Sequence, residues 1–439
     1  MGFGFGKVEE ETKETEEESH NKLNFERPQK PTNPAETGMN LSFITDLVLK
    51  TMYGTGVEVG GEIADELKLS FEGVVEPVLR QLKDDHSCEI IGGGGVSSTW
   101  RFVLMEKGIR RALDAMTQSG YIGPAPVPLN EYFEITRKQS GRKGIINREG
   151  IKKMFSDLII SDKMVEELGP AMNATKSSLF LYGKPGNGKT SIAERMTALL
   201  GGPILVPYAV TQNNQVIKLF DELYHQPLEE KPDIIYDARW VLCKRPTIVV
   251  GGELTLADLD LIYVESAKFY EAPFQMKANG GLLLIDDFGR QKCSPVELLN
   301  RWIVPLEKNV DYLALATGKK ITVPFDQIIV YSTNLDPGDL VDEAFLRRIQ
   351  YKIEIPDPDR EGFTKIFELV CNGKKVEFKK DIVDYLIETH YISKNRPFRA
   401  CHPRDLLNQA IDYAHYRGLK PELTKEALDY ACESYFVEF

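Results

Sequence analysis

The chain predicts an α/β fold: a parallel phosphate-loop sheet, followed by a helical C-terminal segment and preceded by a small α+β unit. Three observations carry this expectation. A short apolar run, Leu179-Phe180-Leu181-Tyr182, leads into Gly183-Lys184-Pro185-Gly186-Asn187-Gly188-Lys189-Thr190 and then into an amphipathic stretch beginning at Ser191. A second run, Leu282-Leu283-Leu284-Ile285, is apolar on both faces and ends in Asp286-Asp287, which suits a central strand buried between helix layers. Upstream, three helical patterns precede two β-like runs joined by Gly92-Gly93-Gly94-Gly95.

At 439 residues the chain is too long for one ordinary core, and two or three domains are expected. Hydrophobic residues make up 42% and charged residues 27%, the balance of a globular protein. No run approaches the ~18 apolar residues of a membrane span, and the start lacks a signal-peptide pattern, so a cytoplasmic location is expected. Met1-Gly2 suggests myristoylation, but Gly6 stands where Ser or Thr is required. The six cysteines (Cys88, Cys243, Cys293, Cys371, Cys401 and Cys432) are scattered singly, without the paired spacing of a zinc or redox site. A net charge of -12 disfavours broad attraction to phosphate backbones.

Residues 1–40 begin with an acidic run from Glu9 to Glu18, followed by Pro28, Pro31 and Pro34. So few apolar groups do not offset the entropy of ordering, and a disordered tail is expected. Residues 41–120 read as three helices, a glycine-tipped hairpin over 88–104 and a closing helix over 106–119, and resemble a winged-helix domain. Its third helix sets Glu72 and Glu76 beside Arg80 and Lys83. Acids beside phosphates oppose groove entry, so a protein partner is expected there in preference to DNA. Residues 121–145 carry Pro124, Pro126 and Pro128, then a basic run through Arg142 and Lys143, and read as a linker.

The segment 183–190 is a complete G-x-x-x-x-G-K-T motif between a strand and a helix. Its glycines let the backbone wrap closely round phosphates, whose charge meets loop N–H groups and a helix N-terminus. Gly183, Pro185, Gly186, Asn187, Gly188, Lys189, Thr190 and Ser191 are therefore candidate nucleotide-binding residues. Lys189 is expected to reach the β- and γ-phosphates, and the Thr190 hydroxyl to ligate Mg²⁺. Asp286, at the carboxyl end of its strand, is the second metal-side candidate, directly or through water. Asp287 is the carboxylate expected to orient or deprotonate the attacking water.

A third apolar run over 327–332 ends at Thr333-Asn334, and Arg347-Arg348 follow before another β-like run over 351–355. With these motifs in order, the chain resembles the AAA+ ATPases from about residue 146 to its C-terminus. The resemblance implies ATP with Mg²⁺ as ligands and Asn334 as the polar sensor that helps position water. It places Arg347 and Arg348, with Arg348 preferred, at the segment that presents a cation to a neighbouring subunit's γ-phosphate. Residues 146–357 would form the α/β domain and 358–439 a helical lid, with Arg404 of His402-Pro403-Arg404-Asp405 at a second sensor position.

Two departures stand out. The acidic pair is Asp-Asp where most members have Asp-Glu, and Lys189 to Asp286 is 97 positions by subtraction, which implies an insertion. Within it, 234–242 and 247–250 are expected to pair as a hairpin. Its tip or the segment 265–275 is a candidate pore-facing loop, while Tyr236, Trp240 and Phe274 read as packing residues. Ala278-Asn279-Gly280-Gly281 is similar to branches with a helix-2 insert, including MoxR-type chaperones. The resemblance implies a homo-oligomeric ring, for which a hexamer is one size, that remodels a protein client. A DNA-dependent regulator or loader and a slow ATP-gated scaffold are the alternatives.

Overall fold

The computed structural model describes Leu23 and residues 25–140, 146–174, 178–229, 236–340 and 346–436. The acidic run 9–18, Arg142 and Lys143, residues 234–235 of the expected hairpin and residues 342–345 lie outside the described residues.

The first unit comprises α1 (Leu41–Thr55), α2 (Gly60–Leu67), α3 (Glu76–Asp84), β1 (Cys88–Gly92), β2 (Arg101–Leu104) and α4 (Glu106–Gln118). Asn40 caps α1 by accepting from the Phe43 N–H, and Gly56 closes it at φ 74°, a left-handed position that favours glycine. Strands β1 and β2 pair antiparallel, with Cys88 opposite Leu104. Ile44, Leu47, Ile63, Val78, Leu79, Leu82 and Phe102 are buried, each contributing roughly 1.5–3 kcal/mol of apolar burial. The order of helices and hairpin is the one expected.

The flanking segments depart from expectation. Residues 25–40 are laid against the protein: Phe25 packs on an apolar cluster, Arg27 lies 4.5 Å over the Tyr236 ring, and the Pro28 carbonyl accepts from the Asp237 N–H. Residues 121–140 form β3 (Val127–Pro128) and α5 (Leu129–Lys138) rather than a linker. Apolar residues among and around the prolines are buried, namely Tyr121, Ala125, Val127, Leu129, Tyr132 and Ile135. Pro128 is tolerated because β3 is an edge strand. Arg239 fastens both segments, since its guanidinium donates to the carbonyls of Thr37 and Pro126 while pairing with Asp237. Arg239 and Asp237 are each only 1% exposed.

The remaining elements before the lid are α6 (Arg148–Met154), α7 (Asp162–Asn173), β4 (Ser178–Tyr182), α8 (Lys189–Leu199), β5 (Ile204–Pro207), β6 (Ala209–Gln212), β7 (Gln215–Lys218), β8 (Trp240–Cys243), β9 (Thr247–Val250), β10 (Ile262–Val264), β11 (Phe269–Glu271), α9 (Phe274–Lys277), β12 (Leu282–Ile285), α10 (Pro295–Lys308), β13 (Val310–Ala314), β14 (Lys320–Pro324), β15 (Ile328–Thr333), α11 (Pro337–Leu340) and β16 (Tyr351–Glu354). Five of the strands form one parallel sheet in the order β16-β4-β15-β12-β9. Side chains alternate across it. Leu179, Leu181, Leu282, Leu284 and Val330 face α6, α7 and α8, while Phe180, Leu283, Ile285, Ile329 and Tyr331 meet Trp302 of α10 and Phe288. Both faces are dry over the central strands β4, β15 and β12, which is why these read as continuous apolar runs.

The expected hairpin over 234–250 is not formed. β9 is a parallel strand of the main sheet beside β12, whereas β8 pairs antiparallel with β5. Thr247–Val250 is itself wholly β-branched and suits a sheet strand. A second sheet, in the order β10-β11-β7-β6-β3, shares an apolar cluster with α5, β5, β8, β13 and β14. It also meets the first unit, because Ala209 and Val216 are buried in that unit's cluster with Phe269 packed against it. The segment 265–275 is therefore not a free loop. The Gly120 N–H donates to the Ala267 carbonyl, and the Lys268 ammonium donates to the Thr117 carbonyl. Trp240 is buried, as its packing role requires.

The lid comprises α12 (Arg360–Lys374), α13 (Lys380–Leu386), α14 (His402–Tyr416) and α15 (Lys425–Tyr435). Phe363, Phe367, Leu386, Leu406, Leu407 and Leu428 form its separate core.

Candidate nucleotide site

The phosphate loop leaves the carboxyl end of β4 at the point where the strand order of the main sheet reverses, with β15 on one side and β16 on the other, the position where doubly wound sheets bind ligands. Gly183 is required here, since at φ 139° a Cβ would stand 2.3 Å from the Ile355 carbonyl. Gly188, at φ 82°, turns the chain into α8, whose first N–H groups make an anion-binding end.

Lys189 is buried and donates to the carbonyls of Gly183 and Lys184 and to Asn334 Oδ1 at 2.6 Å. Burial pulls its ammonium below the usual lysine range, opposed by Asp286 and Asp287. The Thr190 hydroxyl donates to Asp286 Oδ2 at 2.9 Å, and Asn334 Nδ2 donates to Asp287 Oδ1 at 3.0 Å. Loop, acidic strand end and polar strand end are thus brought to one place, at the ends of the adjacent strands β4, β15 and β12. The cleft has a volume of about 660 Å³, lined by residues 185–192 together with Asp286, Asp287, Asn334 and Arg404. The Thr190 hydroxyl and Asp286 carboxylate are hard oxygen donors in contact, a donor pair that fits Mg²⁺ retaining several waters.

Sequence reading missed three further parts of the site. Its far end is apolar, formed by Leu158, Ile159 and Ile160 before α7 and by Ile366, Leu369 and Val370 on α12, a surface suited to an aromatic base. The lid is also bonded to the phosphate loop. Asn187 Nδ2 donates to Asp357 Oδ1 at 2.7 Å, the Ala400 N–H donates to Asn187 Oδ1, and the Cys401 N–H donates to the Gly186 carbonyl. Arg399 pairs with the same Asp357. Finally, Gln291 holds the turn after Asp286-Asp287. No compact motif announces these residues: the bonds between the lid and the phosphate loop join distant segments, and the local bonds of Gln291 depend on a turn that no pattern of residue types specifies.

The arginines fall in different places. Arg404 lines the cleft and donates to Asp405 at its own helix start. Arg347 and Arg348 are not among the cleft-lining residues. Arg347 is exposed, while Arg348, the one preferred from sequence, donates to Glu307 of α10 at 3.1 Å.

Among the described residues no group of three His, Cys, Asp or Glu side chains is poised for a metal ion, and no helix is long and apolar enough to cross a membrane. The parallel sheet with its phosphate loop and helical lid is the architecture expected from the AAA+ resemblance.

Residues 359–434, which make up the lid, match a family described as a domain of unknown function, DUF8689. No curated protein matches the chain. Solved structures similar to it include the Thermotoga maritima RuvB Holliday junction branch migration motor, at 14% identity over 63% of this chain and 70% of that one, with a TM-score of 0.38. NtrX from Brucella abortus in complex with ATP aligns at 15% identity over 66% of this chain and 61% of that one, with a TM-score of 0.40. A chain from a complex of magnesium chelatase subunits BchI and BchD aligns at 18% identity, covering 63% and 92%, with a TM-score of 0.35.

Proposed function

We propose that the chain is an AAA+-type ATPase that cleaves ATP to ADP and phosphate in the cleft between the main sheet and the lid. The observation that carries this reading is the convergence of Lys189, Thr190, Asp286, Asp287 and Asn334 at neighbouring strand ends. The base would lie against Ile159 and Leu369, with the phosphates wrapped by residues 183–190 and by the α8 N-terminus. Mg²⁺, held by Thr190 and Asp286, would neutralise phosphate charge. Asp287 would orient the attacking water and draw its proton, with Asn334 fixing that carboxylate. Lys189 and Arg404 would meet charge on the transferring phosphoryl group, where preorganised cations are most effective.

The finer part of the proposal is that the ATPase works as a homo-oligomer on a protein client. An arginine from the 347–348 pair would complete the next subunit's site, and residues 41–120 would dock the client. Two features support docking of a protein: the acids Glu72 and Glu76 just before and at the start of α3, and the exposed apolar row of Met105, at the N-cap of α4, with Ile109 and Leu113 along it.

The test of the core reading is Lys189→Ala. Removing a buried cation that meets phosphate is expected to weaken ATP binding at least about tenfold and to abolish phosphate release. Parent-like affinity by calorimetry would displace the nucleotide from this cleft.

A further inference from the structure

The acidic strand end is built in an unusual way. Asp286 is held in the sheet by its N–H, which donates to the Val250 carbonyl, while the Phe288 N–H donates to the Ser332 carbonyl on the opposite neighbour strand. Phe288 is buried, with its ring packed on Phe180 and Tyr331. The chain must therefore cross from one side of β12 to the other within a single residue, and Asp287 does so at φ 49°. Left-handed backbone is tolerated by Asp and Asn far better than by longer side chains. Gln291 closes the turn: its Nε2 donates to the carbonyls of Asp286 at 2.9 Å and Asp287 at 3.2 Å, and its Oε1 accepts from the Gly289 N–H at 2.8 Å.

We propose that Gln291 is a positioning residue for the hydrolytic carboxylate, and that the left-handed turn it holds is what selects Asp over Glu at position 287. This rests on the ATPase reading and deepens it. From the left-handed backbone the short Asp287 side chain meets Asn334 Nδ2. A Glu side chain there strains the turn and carries its carboxylate beyond that donor. The shorter acid is then the working residue of this site rather than a weakened version of a longer one.

Steady-state phosphate release with Mg·ATP by the full chain tests the proposal in Gln291→Ala, Gln291→Glu and Asp287→Glu. Gln291→Glu keeps the size and the acceptor for Gly289 but loses both donations to the 286 and 287 carbonyls. Both Gln291 variants are expected to lose roughly ten- to a hundredfold in kcat, the cost of a misplaced reacting group, with KM within about threefold of the parent. Asp287→Glu is expected to fall by a similar factor. Parent-like kcat in Gln291→Glu, or Asp287→Glu turning over as fast as the parent or faster, overturns the proposal. A KM that rises as far as kcat falls does so too, since a general loosening of the cleft then explains the data. Should Gln291→Ala fail to fold, Asp287→Glu still decides. A parent that binds ATP but releases no phosphate sinks the hydrolase reading itself, whereas parent turnover with parent-like Gln291→Glu sinks this inference alone.

Discussion

Asn334 divides its amide between the two halves of the chemistry, accepting from Lys189 through Oδ1 and donating to Asp287 through Nδ2. The two carboxylates have separate partners, Asp286 against Thr190 and Asp287 against Asn334, as the proposed division into a metal-side and a water-side acid requires. Asp287→Asn should bind Mg·ATP with near-parent affinity yet lose at least ~100-fold in phosphate release, because only the base and orienting group is removed. Unchanged release would take Asp287 out of the mechanism. Residues carried by one contiguous motif, Gly183 to Thr190 and Asp286-Asp287, were legible in the sequence because their chemistry depends on local spacing. Asp357 and Arg399 were not, since a charged side chain in a loop looks like any solvated group until folding brings its partner to it, and Gln291 was not, because the turn that aims it at carbonyls four and five positions back leaves no pattern of residue types. Arg348 was legible as a cation but not as one already paired with Glu307.

At the scale of elements, the apolar runs that became β4, β12 and β15 were readable because both faces of the sheet are covered there. What failed was partner choice. The runs at 240–243 and 247–250 look like a hairpin, but β9 gains a fully buried parallel neighbour and β8 an antiparallel one in β5, and pairing at long range leaves no local mark. The segments taken as tail and linker misled for a related reason. Their prolines signal a lack of regular structure, not a lack of contact. Their fastening predicts a large effect for Arg239→Met: Asp237 would remain buried without its cation, which costs about 3–5 kcal/mol. Chemical denaturation should show that loss, and limited proteolysis should open cleavage within 25–40. A loss below ~1 kcal/mol would mean the pair does not hold these segments.

At the scale of the molecule, the cleft includes no arginine from the 347–348 segment, and Arg347 faces outward. If a neighbouring subunit supplies that cation, as proposed, the rate depends on assembly. Hydrolysis per subunit should rise with concentration. Mixing Lys189→Ala, which keeps its arginines, with a variant carrying Arg347→Ala or Arg348→Ala should recover activity that neither protein shows alone. Stabilisation of transition-state charge in trans is worth roughly 10³-fold or more in turnover, so the recovery is easily measured. Dilute monomer working at the full rate would rule out the shared site.

The seam between the helical unit and the second sheet has a mechanical meaning. Gly120 grips Ala267, and from that grip the chain runs through β11, the short helix α9 and β12 directly to Asp286. Fewer than twenty positions separate the two by number, and most of them are buried. If the helical unit docks a client, as proposed, then the docking surface and the carboxylate facing Thr190 are joined by one short stretch of chain, along which a displacement of the unit would be carried towards the site.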